Sequence, residues 1–280
     1  MLEHTFLHLK QIKTAHKELE LWEQGILTHE DLLKSNLLSS PDQNPDGSQW
    51  YLETKRAIER GDHYYFIKRL PPDQHYRLAL TFPKETIFLD IETTGLSRQY
   101  STITIVGWSI SDKFKILVHG RDDPSELLDD LSRAKALVTF NGRSFDVPFL
   151  KQTFSSITIP AAHVDLRYLC RQLGLTGGQK YIEQKLGFDR VEGKGDGLMA
   201  VNLWYTYKNN SRKTTVRQEA LRELIIYNLI DVDSMKSIFD ACLERLPFLK
   251  LLPKNYGQYF RSISNKPEFQ KSFPFSLELF

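Results

Sequence analysis

Asp90 and Glu92 close the apolar run in "TIFLDIETTGLS" (Thr86 to Ser97). Residues i and i+2 of a strand project from one face, so two carboxylates stand side by side at the tip of an apolar ribbon. Adjacent buried acids raise each other's pKa and are costly unless compensated. A hard divalent cation, Mg²⁺ or Mn²⁺, supplies that compensation through carboxylate oxygens, and two such ions about 4 Å apart clamp the attacking and leaving oxygens of a phosphodiester displacement. Two further stretches offer acids. "VTFNGRSFDVPFL" carries Asn141 and Gly142 at a strand end, a turn, and Asp146 on the first turn of a helix. "LIIYNLIDVDSM" carries Tyr227 and Asp231 four apart, hence one above the other on a helix face. The competing readings are strand-end charges in solvent, a helix N-terminal acid favoured by the macrodipole, and a core tyrosine beside a solvated helix acid. Asp233 reads as surface.

Several elements must position these groups. Residues 1–84 read as a small helical region. Leu19, Trp22 and Ile26 have helical spacing, Gly25 suits a left-handed helix exit, and Thr28 with Asp31 forms a candidate cap for a second helix. A Pro/Asp/Gly-rich loop runs from Ser39 to Gln49. Trp50 to Arg60 is a third helix ended by Gly61, and an extended arm follows the turn at Pro71 and Pro72. A boundary falls near residue 84. Beyond it Thr86 to Glu92, Thr102 to Ile110 and Phe114 to Val118 are strands, the last two joined as a hairpin by Ser111 to Lys113. Pro124 to Arg133 is helical, Ala136 to Phe140 a strand, Ser144 to Phe154 a helix, and Leu166 to Arg245 almost wholly helical. A strand meander followed by alternating helix and strand makes an α/β fold, with a mixed β-sheet flanked by helices.

Bulk charge selects no partner, because 37 Lys+Arg against 35 Asp+Glu leave only +2; an anionic partner must meet a local patch. Two cysteines, Cys170 and Cys242, are too few for a disulfide framework and suit a reducing compartment as core thiols. No signal-peptide pattern and no membrane-length apolar run is present, so the expectation is a cytoplasmic protein without a membrane partner. His4 and His8 stand i, i+4, but no further ligand joins them and "HTFLH" reads as extended; "GLTGG" (Gly174 to Gly178) is a turn. In the tail 251–280, Lys254, Arg261, Lys266 and Lys271 alternate with aromatic residues. That pattern suits either single-strand stacking or packing on the core, and packing is preferred. The basic, loop-like Tyr207 to Gln218 is the better candidate for contact with a nucleic-acid backbone.

In order, "DIETTGL", "NGRSFD" and "YNLID" resemble the three exonuclease motifs of the DEDD family over roughly residues 85–240, within an exonuclease domain expected at 85–250. The resemblance implies a ribonuclease H-like fold. Tyr227, four before Asp231, matches the tyrosine (DEDDy) subtype, whereas the histidine subtype's position is Ile226. The sequence is most similar to the YprB-like branch, whose leader resembles Thr5 to Ile26; Gln11, Ile12 and Lys13 stand where relatives carry a Gly-Ile-Gly turn, a degenerate helix-hairpin-helix-like start. The family pattern implies a 3′→5′ exonuclease acting on single-stranded DNA or RNA ends. It implies two divalent metal ions held by Asp90, Glu92, Asp146 and Asp231, a water oriented by Tyr227, and a substrate strand met by Thr93, Gly95, Leu96, Asn141 and Phe145. The alternative is a nucleic-acid-binding module that keeps the fold without the chemistry.

Overall fold

The computed structural model describes residues 1–35, 37–38, 48–188 and 195–252. Most of the loop 39–49, and the tail from 253 onward, lie outside the described residues.

The chain opens with a 3-10 turn (Leu2–His4), and Thr5, next in "HTFLH", is extended (φ −97°, ψ 119°). Helix α1 (Ala15–Glu23) follows, capped by the Thr14 side chain accepting from Lys17 N, and Gly25 leaves it at φ +81°. Helix α2 (His29–Lys34) has a full capping box: Thr28 Oγ1 accepts from Asp31 N, and the Asp31 carboxylate accepts from Thr28 N at 2.9 Å. Helices α3 (Gln49–Glu59), α4 (His63–Ile67) and α5 (Tyr76–Thr81) complete the region. The extended arm expected after Pro72 is therefore helical. Tyr76 to Leu80 are all buried, and a helix covered on every side shows no amphipathic period.

Strand β1 (Thr86–Thr93) is the centre of a five-stranded sheet ordered β3-β2-β1-β4-β5. The flanking strands are β2 (Ile103–Ile110), β3 (Lys113–Val118), β4 (Ala136–Thr139) and β5 (His163–Asp165). β1, β2 and β3 form an antiparallel meander, while β4 and β5 run parallel to β1, giving the expected mixed sheet. Ser111 (φ +49°) and Asp112 (φ +61°) supply the paired left-handed conformations of a type I′ hairpin. Helices α6 (Ser125–Arg133), α7 (Asp146–Thr153), α8 (Leu166–Gln172), α9 (Gln179–Leu186), α10 (Gly197–Lys208) and the 31-residue α11 (Thr214–Glu244) cover the two faces.

Alternation along β1 decides which face receives the acids. Ile87, Leu89 and Ile91 join Leu127, Leu131, Phe149 and Leu150 of α6 and α7 in one cluster. Phe88 belongs to the other face, with Val138, Val232, Met235 and Phe239. Asp90 and Glu92 are in step with Phe88 and so face α11.

The same cluster takes in Phe6, Leu21, Trp22, Phe66 and Leu78, so the N-terminal helices share apolar packing with the sheet and α11. A fully buried ion pair staples them: Arg77 donates to both Glu18 oxygens (2.9 and 2.6 Å), while Phe6 N donates to Glu18 Oε1 at 2.6 Å. His4 and His8 are buried structural groups, pairing with Leu27 O (2.8 Å) and Thr54 Oγ1 (2.9 Å). Asp233, read as surface, is buried with Lys236 Nζ 3.9 Å away. No helix among the described residues is long and apolar enough to cross a membrane.

Candidate active site

The parallel strands β1, β4 and β5 deliver their carboxyl ends to one edge of the sheet, where open α/β sheets place ligands. The end of β1 supplies Asp90 and Glu92, the turn after β4 supplies Asn141, and α11 crosses with Tyr227 and Asp231. These residues line a cleft of about 650 Å³, joined by Arg167 and Lys180. A register shift between Glu92 and Thr93 ends the regular β1–β2 ladder here.

Asp90, Glu92 and Asp231 each present a carboxylate oxygen within 4.8 Å of the other two. Burial, and then the Asp231 charge, hold the Glu92 carboxyl well above the usual range, against the opposing pull of Lys180. Asp146 stands outside this trio. It is buried, its Oδ1 accepts from Ile91 N at 3.2 Å, and burial pushes its pKa to about 7. A close set of hard oxygen donors that cannot all stay charged alone fits a divalent cation.

Tyr227 combines two roles that its sequence position had set against each other. Its ring packs in the cluster with Ile105, Trp204 and Leu224, and its hydroxyl accepts from Lys180 Nζ at 2.6 Å. A phenol accepting from an ammonium keeps its own proton for donation. Lys180 also donates to Gly195 O. Gly177, at φ +130°, lets the chain turn into α9 past Tyr181; a Cβ there would meet Tyr181 Cδ1 at 2.4 Å, in agreement with a turn at "GLTGG".

The "NGRSFD" turn is organised by Asp165, which sequence reasoning missed. Its carboxylate accepts from Asn141 N (2.8 Å), Arg143 N (3.0 Å) and Arg167 N (3.1 Å). Asn141 takes φ +65°, and its Oδ1 accepts from Arg167 Nη1 at 2.7 Å. Gly142 admits no side chain, since a Cβ would lie 2.3 Å from Thr139 Oγ1. Beyond β1, Thr93 Oγ1 donates to Gly95 O at 2.7 Å, and Gly95 packs so close to Ser101 that a Cβ would lie 2.8 Å from its Oγ. Leu96 is 86% exposed. Phe145 is half-buried, its ring 4.9 Å from Phe149 on the α7 side. Of the expected residues, Asp90, Glu92, Asn141, Tyr227 and Asp231 share the cleft. Thr93 and Gly95 shape the exit from β1. The basic stretch 207–218 is only partly a loop, because α10 runs to Lys208 and α11 begins at Thr214.

The family model of the RNase_H superfamily matches residues 87–243, more than half of the chain, and the protein belongs to that superfamily. Its sheet and flanking helices are the ribonuclease H-like fold. Similar solved structures include the family B DNA polymerase of the hyperthermophilic archaeon Pyrobaculum calidifontis, at TM-score 0.41 and 15% identity, over 59% of this chain and 26% of the polymerase. Another is the EXO domain of Aedes aegypti Nibbler, at TM-score 0.35 and 12% identity, over 64% of this chain and 92% of that one. The match thus spans about a quarter of the polymerase. No curated protein matches the sequence.

Proposed function

We propose that the chain is a metal-dependent 3′→5′ exonuclease of the tyrosine (DEDDy) subtype, from the YprB-like branch, that releases nucleoside monophosphates from single-stranded DNA or RNA ends in the cytoplasm. The observation carrying this reading is the meeting of three acids with the Tyr227 hydroxyl in one cleft at the carboxyl ends of parallel strands. Asp90, Glu92 and Asp231 would hold Mg²⁺ or Mn²⁺, with Asp146 supporting a second ion. Bound divalent ions would lower the pKa of water and offset charge on the phosphate oxygens.

The chain's own groups then have defined tasks. Tyr227, fixed by Lys180, donates its hydroxyl proton toward the attacking water and holds it in line. The water gives up a proton to solvent as its oxygen bonds to phosphorus, the P–O3′ bond breaks, and the leaving 3′ alkoxide takes a proton from solvent. The Lys180 ammonium, in the cleft beside the Tyr227 hydroxyl, would offset the negative charge that grows on the phosphate. Asn141, braced by Arg167 and Asp165, would meet the strand, and the exposed Leu96 beyond β1 would offer an apolar surface to a base.

End-labelled DNA and RNA oligonucleotides, linear, 3′-phosphorylated and circular, test this with Mn²⁺. Linear strands with a free 3′ hydroxyl should yield mononucleotides, and Asp90→Ala should abolish the reaction. Rapid cutting of circles refutes an end-directed reaction, and strand binding without hydrolysis marks a binding module.

A further inference from the structure

We propose that Asn228 is the positioning residue of Asp90, and that position 107 is glycine because Asn228 fills the space a side chain there would need. The proposal rests on Asp90 being a metal ligand, as argued above. Asn228 lies inside "YNLID", fully buried between Tyr227 and Asp231. Its Nδ2 donates to Asp90 Oδ2 at 2.9 Å and to Asp90 O at 3.3 Å, so one amide grips both the side chain and the backbone of the central strand's acid. Reversing the amide would aim an acceptor at two acceptors, which fixes its orientation.

The opposite end of the amide explains the glycine. Gly107 is the cross-strand partner of Asp90 on β2. A Cβ on Gly107 would fall 1.8 Å from Asn228 Oδ1, and 3.1 Å from Phe114 Cε2. Among the described residues Asn228 Oδ1 itself has no hydrogen-bond partner. A buried amide oxygen left unpaired is costly, so a donor held at Asp90 gives this side chain a reason to persist. The chemistry also selects an amide. A lysine would neutralise the acid trio and an aspartate would add to it, whereas asparagine donates without charge. With one oxygen engaged, the Asp90 carboxylate cannot turn freely, and its place beside Glu92 and Asp231 is set jointly by β1 and α11. Partners of this kind are typically worth about 10- to 100-fold in metal affinity.

Mn²⁺ titration calorimetry on the full chain tests this, alongside melting curves and turnover. Asn228→Leu keeps the volume and removes the donor. It should weaken Mn²⁺ binding at least about tenfold and lower kcat with KM little changed. Gly107→Ala alone should lower the melting temperature and weaken Mn²⁺ binding. The double variant Gly107→Ala/Asn228→Ala should recover the melting temperature but not the affinity, because the clash is relieved while the donor stays absent. This pair also decides the matter if Asn228→Leu does not fold. Wild-type-like Mn²⁺ affinity in Asn228→Leu or in the double variant overturns the role of Asn228, and a Gly107→Ala chain that melts and binds as wild type overturns the packing argument. A wild-type chain that takes up no Mn²⁺ instead overturns the nuclease reading beneath both.

Discussion

Removing the charge of Asp146 should change stability in a pH-dependent way that a comparison of variant with wild type separates from the buried histidines. Burial holds its carboxyl at about 7 in the folded chain, against about 3.9 unfolded. Between those values the folded form binds more protons than the unfolded form, so this group's contribution to the free energy of unfolding falls as pH rises. From pH 5 to pH 8 the loss amounts to roughly 2.5 kcal/mol. The wild-type profile alone would hide it. His8, His29 and His163 are buried with depressed pKa values, about 4 for the latter two. Being charged only in the unfolded chain below pH 6.5, they make stability rise with pH over that range. They cancel when wild type is compared with Asp146→Asn. In EDTA the variant should therefore gain on wild type by roughly 2.5 kcal/mol between pH 5 and 8, or roughly 5 to 10 °C of melting temperature. Mn²⁺ should reverse the ranking at pH 8, where ligand oxygens are deprotonated and occupancy stabilises the native state. Melting by circular dichroism at pH 5, 6, 7 and 8, with EDTA or Mn²⁺, provides the measurement. A wild-type-minus-variant difference that stays flat in EDTA refutes the reasoning.

Tyr227→Phe should keep the Mn²⁺-induced rise in melting temperature yet turn over about 10² to 10⁴ times more slowly; turnover at the wild-type rate would make Tyr227 a packing residue only. Lys180→Met removes the cation that restrains the Glu92 pKa, so the pH midpoint of Mn²⁺ binding, read by calorimetry, should move upward, and an unchanged midpoint contradicts the assignment. Arg77→Met strands the buried Glu18 charge and should cost about 3–5 kcal/mol in chemical denaturation, most of it recovered in Glu18→Met/Arg77→Met.

What the sequence made legible was whatever local chemistry encodes. The Thr28 capping box, the Ser111–Asp112 hairpin and the acid-tipped strand β1 each carry their signal within a few residues. Helix α5 and strand β5 did not, because the first is buried on all sides and the second is three residues long. Of the residues lining the cleft, Asp90, Glu92, Tyr227 and Asp231 were singled out by strand and helix spacing together with the resemblance to the DEDD motifs. Lys180, Arg167 and Asp165 carry no spacing signature. Lys180 and Arg167 reach the cleft, and Asp165 the Asn141 turn beside it, only when α9, α8 and β5 are folded against the edge of the sheet. Asp233 misled for a related reason: the middle of α11 is buried around its whole circumference, so helical period does not separate its solvated side.

Helix α11 has a consequence for how the cleft yields under stress. At 1.5 Å per residue it is about 46 Å long, and Tyr227, Asn228 and Asp231 sit at least about three and a half turns from either end, where fraying does not reach. Their amides should exchange with deuterium only when the whole molecule opens. The facing wall is different. Lys180 rides on the eight-residue α9, entered through Gly177 and Gly178 and far less enclosed. Amides of α9 should therefore exchange before those of central α11, so that the lysine side of the cleft loosens while the acid side remains locked.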